Sequence, residues 1–139
     1  LMEWVLDCSL ALAWALPDES SPKAERFLAA LPSDGVLWVP ALWWYELANG
    51  LTVARRRSRL SEADSLRLTH LFGALPFHTD TDLHPNSAWR LQTLASRFGL
   101  SAYDAAYLDL AQRRGIGLAT FDRALLAAAR KAGVATASL

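Results

Sequence analysis

The chain has 139 residues, of which 53% are hydrophobic and 20% are charged. This length predicts one domain over residues 1–139, and this balance excludes a disordered chain. The longest uninterrupted apolar run, residues 10–16, is far shorter than the ~18 residues that span a bilayer. The net charge is zero, which excludes a strongly basic polyanion-binding surface but leaves room for a local basic patch. A single cysteine, Cys8, fits a reducing compartment, so we expect a cytoplasmic protein without a membrane segment.

Five short segments are predicted to be strands. The chain has only six Val and Ile residues against 25 Ala and 26 Leu, so β-branched residues mark the few strands in a composition that favours helix. The predicted strands lie at about 3–7, 36–39, 75–79, 116–120 and 134–137.

Helical segments fill most of the intervals, and capping residues indicate their ends. The Ser-Ser-Pro sequence at 20–22 offers an N-cap with proline in the first turn, and Pro40 is predicted to start the next helix. The glycines 99, 115 and 133 follow three helices as C-terminal stops. Because strands alternate with helices, the sequence predicts an α/β fold with a parallel sheet covered on both faces. The predicted helices cover about 22–31, 40–57, 61–74, 85–98, 101–114 and 122–132.

Four acidic residues are predicted to meet outside the carboxyl ends of the strands, where parallel sheets carry their chemistry. Asp7 ends the first strand, and Asp122 follows the strand at 116–120 by two residues. Glu46 lies two turns into its helix among mostly apolar neighbours, and Asp104 lies in the first turn of another helix. Clustered carboxylates raise one another's pKa unless a cation is present. Oxygen ligands without His or Cys suit Mg²⁺ or Mn²⁺ rather than zinc.

Each acid taken alone also has an ordinary structural explanation. Asp104 fits a capping box opened by Ser101, and Asp7 and Asp122 fit N-caps of the helices that follow them. Glu46 fits an ion pair with a buried arginine. The four acids together are harder to explain in this way, which favours a metal site.

Four short motifs occur in order along the chain. They are Asp7-Cys8-Ser9, Glu46-Leu47-Ala48-Asn49, Ser101-Ala102-Tyr103-Asp104-Ala105-Ala106-Tyr107-Leu108 and Thr120-Phe121-Asp122. In order and spacing they resemble the motifs of PIN-domain ribonucleases, and specifically of VapC-type toxins of type II toxin–antitoxin pairs. The resemblance covers essentially the whole chain and implies a PIN-like three-layer α/β/α sandwich with a central, mainly parallel sheet.

The resemblance also implies a site for Mg²⁺ or Mn²⁺ and assigns two groups of residues to it. The metal ligands would be Asp7, Glu46, Asp104 and Asp122, and their polar support would be Ser9, Asn49 and Thr120. In such enzymes the metal activates a water that attacks an RNA phosphodiester, so no imidazole base is required. The implied partners are a tRNA or rRNA substrate, a cognate antitoxin and a second copy of the chain in a homodimer.

A run of arginines closes the helix that carries Glu46 and is a candidate phosphate track leading RNA to the metal. Cations also complement the C-terminus of a helix, so a solvated helix end is an equal alternative. The candidate track consists of Arg55, Arg56, Arg57 and Arg59, with Arg113, Arg114 and Arg123 as possible extensions.

Three further acids lie near the motifs. Asp109 is five residues after Asp104, about 140° around the helix, so we expect it to lie behind the ligands or in solvent. Asp80 and Asp82 precede a helix and are expected to cap it.

Most tryptophans, including Trp14, Trp38 and Trp89, are expected in the core. Trp43 and Trp44 are adjacent on one helix and project about 100° apart, so both are not expected to be fully buried. One of these two is therefore a candidate contact for a protein partner.

Two other functions stay open. A catalytically inactive PIN-type fold would act as a binding or regulatory module, although the complete set of four acids argues against it. A phosphoryl-transfer domain of the receiver or haloacid-dehalogenase class also uses strand-end acids. The haloacid-dehalogenase class needs an Asp where Ser9 stands. Both the receiver class and the haloacid-dehalogenase class need a lysine after a strand, which neither Lys23 nor Lys131 provides.

Overall fold

The computed structural model describes residues 2–19 and 21–139. This part of the chain contains four strands: β1 (Glu3–Leu6), β2 (Val36–Pro40), β3 (Phe77–Asp80) and β4 (Gly117–Ala119). Its α-helices are α1 (Cys8–Ala15), α2 (Pro22–Ala29), α3 (Leu42–Arg56), α4 (Glu62–Gly73), α5 (Pro85–Phe98), α6 (Ala102–Arg114) and α7 (Arg123–Lys131). A 3₁₀ helix covers Pro17–Glu19.

The four strands form one parallel sheet in the order β3-β2-β1-β4. At the centre of the sheet, Val5 lies opposite Trp38 of β2 and Leu118 of β4. Helix α6 packs against β1, β2 and β4, and therefore lies across the middle of the sheet. The predicted α/β fold with a central parallel sheet is confirmed.

The core explains why β1 and β4 are so short and apolar. Val5, Leu6 and Leu118 are fully buried, as parallel strands covered by helices require. At Gly117 a Cβ atom would lie 2.3 Å from the ring of Trp4 on the adjacent strand, so this position requires glycine. The carboxyl ends of β1 and β4 are thereby fixed side by side.

Two predicted element boundaries differ from the structure. The segment 134–137 forms a single bridge between Thr136 and Leu118 instead of a strand. Pro40 does not start a helix but ends β2, where it pairs with Asp80, and α3 begins at Leu42.

The predicted helix ends are otherwise well matched. Gly99 and Gly115 adopt left-handed conformations immediately after α5 and α6. The side chain of Ser21 caps α2 by accepting a hydrogen bond from the backbone N–H of Ala24 at 3.4 Å. The other candidate for this cap, Ser20, lies outside the described residues.

The tryptophans divide between core and surface. Trp43 is fully buried, whereas Trp44 is 38% exposed and donates its indole N–H to Thr79 at 2.9 Å, so the pair behaves as predicted. Trp14 and Trp38 are partly buried against the core. The expectation for Trp89 is wrong, because its side chain is 68% exposed on α5.

None of the helices in the described ranges is long and apolar enough to cross a membrane.

Candidate active site

Asp7 is held rigidly at the carboxyl end of β1. Its backbone N–H donates to the carbonyl of Ala119 at 3.0 Å, which extends the pairing of β1 with β4 by one residue. Its side chain is only 7% exposed, and Oδ2 accepts hydrogen bonds from the hydroxyls of Thr120 at 2.6 Å and Ser9 at 2.8 Å. These two hydroxyls and the burial of the residue hold the Asp7 carboxylate in place.

Asp122 follows β4 and has the capping role considered for it from the sequence. Its Oδ1 accepts a hydrogen bond from the backbone N–H of Leu125 at 2.9 Å, so it is the N-cap of α7. Its own N–H donates to the hydroxyl of Thr120 at 2.9 Å. Thr120 therefore links the positions of Asp7 and Asp122, while the exposed Asp122 still presents one carboxylate oxygen to solvent.

Glu46 and Asp104 come from two helices. Glu46 on α3 is half-buried, and its Oε1 accepts a hydrogen bond from the buried hydroxyl of Tyr107 at 2.7 Å. The partner of Glu46 is therefore a tyrosine and not the buried arginine considered from the sequence. Asp104 lies in the first turn of α6, where its backbone N–H donates to the side chain of the N-cap residue Ser101 at 3.1 Å.

The structure brings these four carboxylates close enough to act on one another electrostatically. Burial is the main cause that raises the pKa of Asp7, Glu46 and Asp104. The charge of Asp122 raises the pKa of both Asp7 and Asp104, and the charges of Asp7 and Asp104 raise that of Glu46. In the described residues, none of the four forms an ion pair with an arginine or lysine.

The donor set fits a hard divalent cation. It consists of carboxylate oxygens and hydroxyls, without a close imidazole, and a bound cation would relieve the repulsion that raises these pKa values. Within residues 2–19 and 21–139, no three His, Cys, Asp or Glu side chains are already arranged as a metal-binding group. Holding one ion would therefore require the acidic side chains to turn toward a common centre.

The three polar residues predicted to support the acids have different surroundings. Ser9 and Thr120 both donate to Asp7. Asn49 lies with Glu46 in the wall of a cavity of about 400 Å³, and its side chain makes no hydrogen bond within the described part of the chain. Tyr107 was not among the predicted site residues. It lies in the Asp104 motif, three residues after that acid and thus about one turn along the same helix face.

The candidate arginine track is only partly available to RNA. The guanidinium group of Arg59 is bound by Asp18 and Glu19, and that of Arg55 lies 3.8 Å from Glu62. Arg56 and Arg57 are exposed and form no ion pair with any described residue. Arg55 and Arg56 line a cavity separate from the one at Glu46, so the structure does not bring them into the site.

The proposed extensions of the track are also divided. Arg113 is held in ion pairs by Asp80 and Asp109, and Arg114 lies 3.5 Å above the ring of Trp38. Arg123 is exposed at the start of α7.

A second group of charges, which we call the arginine–aspartate cluster, links the end of β3 to α5 and α6. Asp109 is 5% exposed and accepts hydrogen bonds from Arg90 at 3.1 Å and Arg113 at 2.8 Å, so of the two expected positions the one in solvent is wrong. The side chain turns from the site toward α5, whose arginine neutralises it. The cluster comprises Asp80, Asp82, Asp109, Arg90 and Arg113.

Asp80 and Asp82 belong to this cluster and do not cap α5 as expected. The N-cap residue of α5 is His84, whose backbone N–H donates to the hydroxyl of Ser87 at 2.7 Å. The two aspartates face Arg113 and Arg90 because α5 packs against α6 and brings these cations to them.

Comparison with known proteins agrees with this architecture. The model of the PIN domain family matches residues 4–131, so the chain belongs to the PIN-domain family. Within that family it is VapC-like: it is 34% identical over 118 residues to Ribonuclease VapC3 of Pyrobaculum aerophilum, which covers 82% of this chain and 85% of that protein.

Two solved structures have the same fold. PAE2754 from Pyrobaculum aerophilum is 26% identical, with a TM-score of 0.69 over 97% of this chain and 83% of that chain. VapBC2 from Rickettsia felis, bound to a DNA fragment from its promoter, is 11% identical, with a TM-score of 0.70 over 98% of both chains. At that identity the second likeness concerns the fold alone.

Proposed function

We propose that this chain is a metal-dependent endoribonuclease that hydrolyses RNA phosphodiester bonds and acts as the toxin of a toxin–antitoxin pair. One observation carries the proposal: four carboxylates act on one another at the carboxyl edge of the sheet without an ion-pair partner in the described residues. This occurs in a PIN-domain chain that is similar to a ribonuclease.

In the proposed site, Asp7, Glu46, Asp104 and Asp122 hold Mg²⁺ or Mn²⁺, and divalent-metal dependence is typical of the family. When bound, the ion supplies activation of water and compensation of charge on the phosphoryl oxygens. The hydroxyls of Ser9 and Thr120 hold in place the Asp7 carboxylate, which would be one of the residues that bind the ion. Asn49, beside Glu46, offers an amide to the substrate or to a ligand of the ion.

RNA is the proposed substrate, with tRNA or rRNA as the class to test first. Arg55, Arg56, Arg57 and Arg59 form the proposed phosphate track. Arg56 and Arg57 are its strongest members, because the other two guanidinium groups already face carboxylates.

A cognate antitoxin and a second copy of the chain are the proposed protein partners. The surface beside the site supports a protein partner, because Leu83 and Tyr103 are largely exposed around an apolar cavity of about 300 Å³. Light scattering on the purified chain, alone and with its antitoxin, measures both associations.

Cleavage of labelled total tRNA and rRNA by the purified chain tests the function directly. We expect discrete fragments with Mn²⁺ and none with EDTA or with the Asp7→Asn variant. Expression of the wild-type chain alone should slow growth, and expression of Asp7→Asn should not. A folded protein that binds Mn²⁺ but cuts no RNA would favour the alternative of an inactive binding or regulatory module.

A further inference from the structure

We propose that Tyr107 is a positioning residue that fixes the orientation of the Glu46 carboxylate and so sets the affinity of the site for its divalent cation. The inference rests on the proposed function. Tyr107 is not one of the four acids or their three polar neighbours. Its contact with Glu46 joins α6 to α3 and is not evident from the motifs.

The geometry leaves the Tyr107 hydroxyl one partner in the described residues. The side chain is 1% exposed, so water does not compete, and the hydroxyl donates to Glu46 Oε1 at 2.7 Å. This length is typical of a hydroxyl that donates to a carboxylate. The contact joins residues 61 positions apart, so it exists only when α6 and α3 are correctly packed.

The same hydrogen bond restricts what Glu46 can do. A glutamate carboxylate ordinarily rotates with little preference about its last torsion angle. With Oε1 held by Tyr107, the carboxylate plane is fixed and Oε2, which accepts no hydrogen bond within the described chain, is the oxygen left for a cation. Partners that orient a metal ligand in this way commonly change metal affinity by about 10- to 100-fold when they are removed.

Tyr107 contacts one proposed metal ligand, Glu46, and shares its helix with another, Asp104. It lies three residues after Asp104, about one turn along α6, and Asp104 is one of the charges that act on Glu46. The hydrogen bond of Tyr107 therefore fastens Glu46 of α3 to the helix that carries Asp104. Ser9 and Thr120 hold Asp7 by hydrogen bonds in a similar way.

Tyr107→Phe is the sharpest test, because it removes the hydroxyl and keeps the buried ring. Isothermal titration with Mn²⁺ should show a dissociation constant about 10-fold higher than that of the wild type. The Mn²⁺ concentration for half-maximal cleavage should rise similarly, while KM for RNA at saturating Mn²⁺ changes less than about 2-fold. Thr69→Val is the control: it removes an exposed hydroxyl on α4, outside the cavity that Glu46 and Asn49 line, and should leave Mn²⁺ affinity unchanged.

A second background shows whether the effect passes through Glu46. In Glu46→Gln protein, the further change Tyr107→Phe should alter Mn²⁺ affinity by less than about 2-fold, because the oriented carboxylate is already gone. Equal Mn²⁺ affinities of wild type and Tyr107→Phe, with matching circular dichroism, would overturn the inference while the proposed function stands. Absence of Mn²⁺ binding by the wild type would instead refute the metal-dependent function.

Discussion

Two groups of carboxylates in this protein have similar numbers but opposite electrostatics. In the proposed site, burial and the charges of neighbouring acids raise the pKa of Asp7, Glu46 and Asp104. The arginine–aspartate cluster holds three acids, each paired with Arg90 or Arg113, and the hydrogen bond from Arg90 holds the pKa of Asp82 below its usual value. The sequence shows acids in both places, and only the packing shows which group has its cations built in.

A metal site differs from a structural ion cluster in whether its carboxylates already have cation partners. A carboxylate that has an arginine partner contributes to the connection between elements, as Asp109 does between α5 and α6. Carboxylates that share a site without a cation weaken the fold at neutral pH, so their arrangement is more readily explained by a ligand than by stability. The following experiments test this distinction.

The largest expected effect is the loss of cleavage in Asp7→Asn. The change preserves the size of the side chain and removes its charge, so we expect RNA cleavage with Mn²⁺ to fall by about 10³-fold or more. Gel analysis of labelled RNA fragments measures it. Asp34→Asn, in an exposed turn, is the control and should cleave as the wild type does. Comparable activity of both variants would remove Asp7 from the site.

In the arginine–aspartate cluster, Asp109→Asn should instead reduce stability. The substitution leaves Arg90 and Arg113 with one partner fewer in a partly buried place, and we expect a loss of about 2–4 kcal/mol in the free energy of unfolding. Urea denaturation followed by circular dichroism measures it. Asp64→Asn removes the exposed partner of Arg67 and serves as control. If both variants unfold at the same urea concentration, the arginine–aspartate cluster contributes no more to stability than an exposed ion pair does.

The two groups should also respond oppositely to pH in protein kept in EDTA. Because the folded state raises the pKa of Asp7, its contribution to stability is fully present below about pH 3.9 and is lost as pH rises through the folded pKa. Asp7→Asn does not undergo this loss. Its free energy of unfolding should therefore increase relative to that of the wild type as pH rises from acid to neutral.

Asp82 provides the opposite case in the same titration. Its lowered pKa gives a contribution that is present above about pH 3.9 and is lost as pH falls through the folded pKa. Asp82→Asn should therefore lose stability relative to the wild type at neutral pH and approach it in acid. Parallel pH curves for Asp7→Asn and Asp82→Asn would show that the two groups do not differ electrostatically.

The sequence was sufficient for the parts of the fold that depend on local chemistry. Short apolar segments indicated the strands. Gly99 and Gly115 indicated helix ends, because glycine readily adopts the left-handed conformation that follows each of these helices. The segment 134–137 misled because an apolar stretch can meet a sheet edge at one bridge without pairing along its length. Strand ends also predicted where Asp7 and Asp122 lie.

Contacts between distant helices could not be predicted in the same way. Helix spacing indicated that Asp109 faces away from Asp104, and Arg113 lies four residues after it, but only the packing of α5 against α6 shows that Arg90 also pairs with it. Tyr107 likewise has the pattern of a core aromatic until α3 places Glu46 against its hydroxyl. Packing across the chain supplies this information, and it decides the chemistry of each acid.

The smallest expected effect concerns the arginines at the end of α3, where the same distinction separates paired from unpaired cations. Arg56→Gln with Arg57→Gln should lower the slope of log affinity against log salt by about 0.7 for each lost phosphate contact with single-stranded RNA. Fluorescence anisotropy with labelled RNA, in the Asp7→Asn background to prevent cleavage, measures that slope between about 50 and 200 mM salt. Arg59→Gln, in the same proposed track, is the comparison for a paired cation, because Asp18 and Glu19 already bind its guanidinium group and we expect a smaller change in slope than for the unpaired arginines. An unchanged slope in the double variant would assign these arginines to the C-terminus of α3 alone, whereas a smaller slope only in Arg59→Gln would mean that RNA displaces the two acids from their cation.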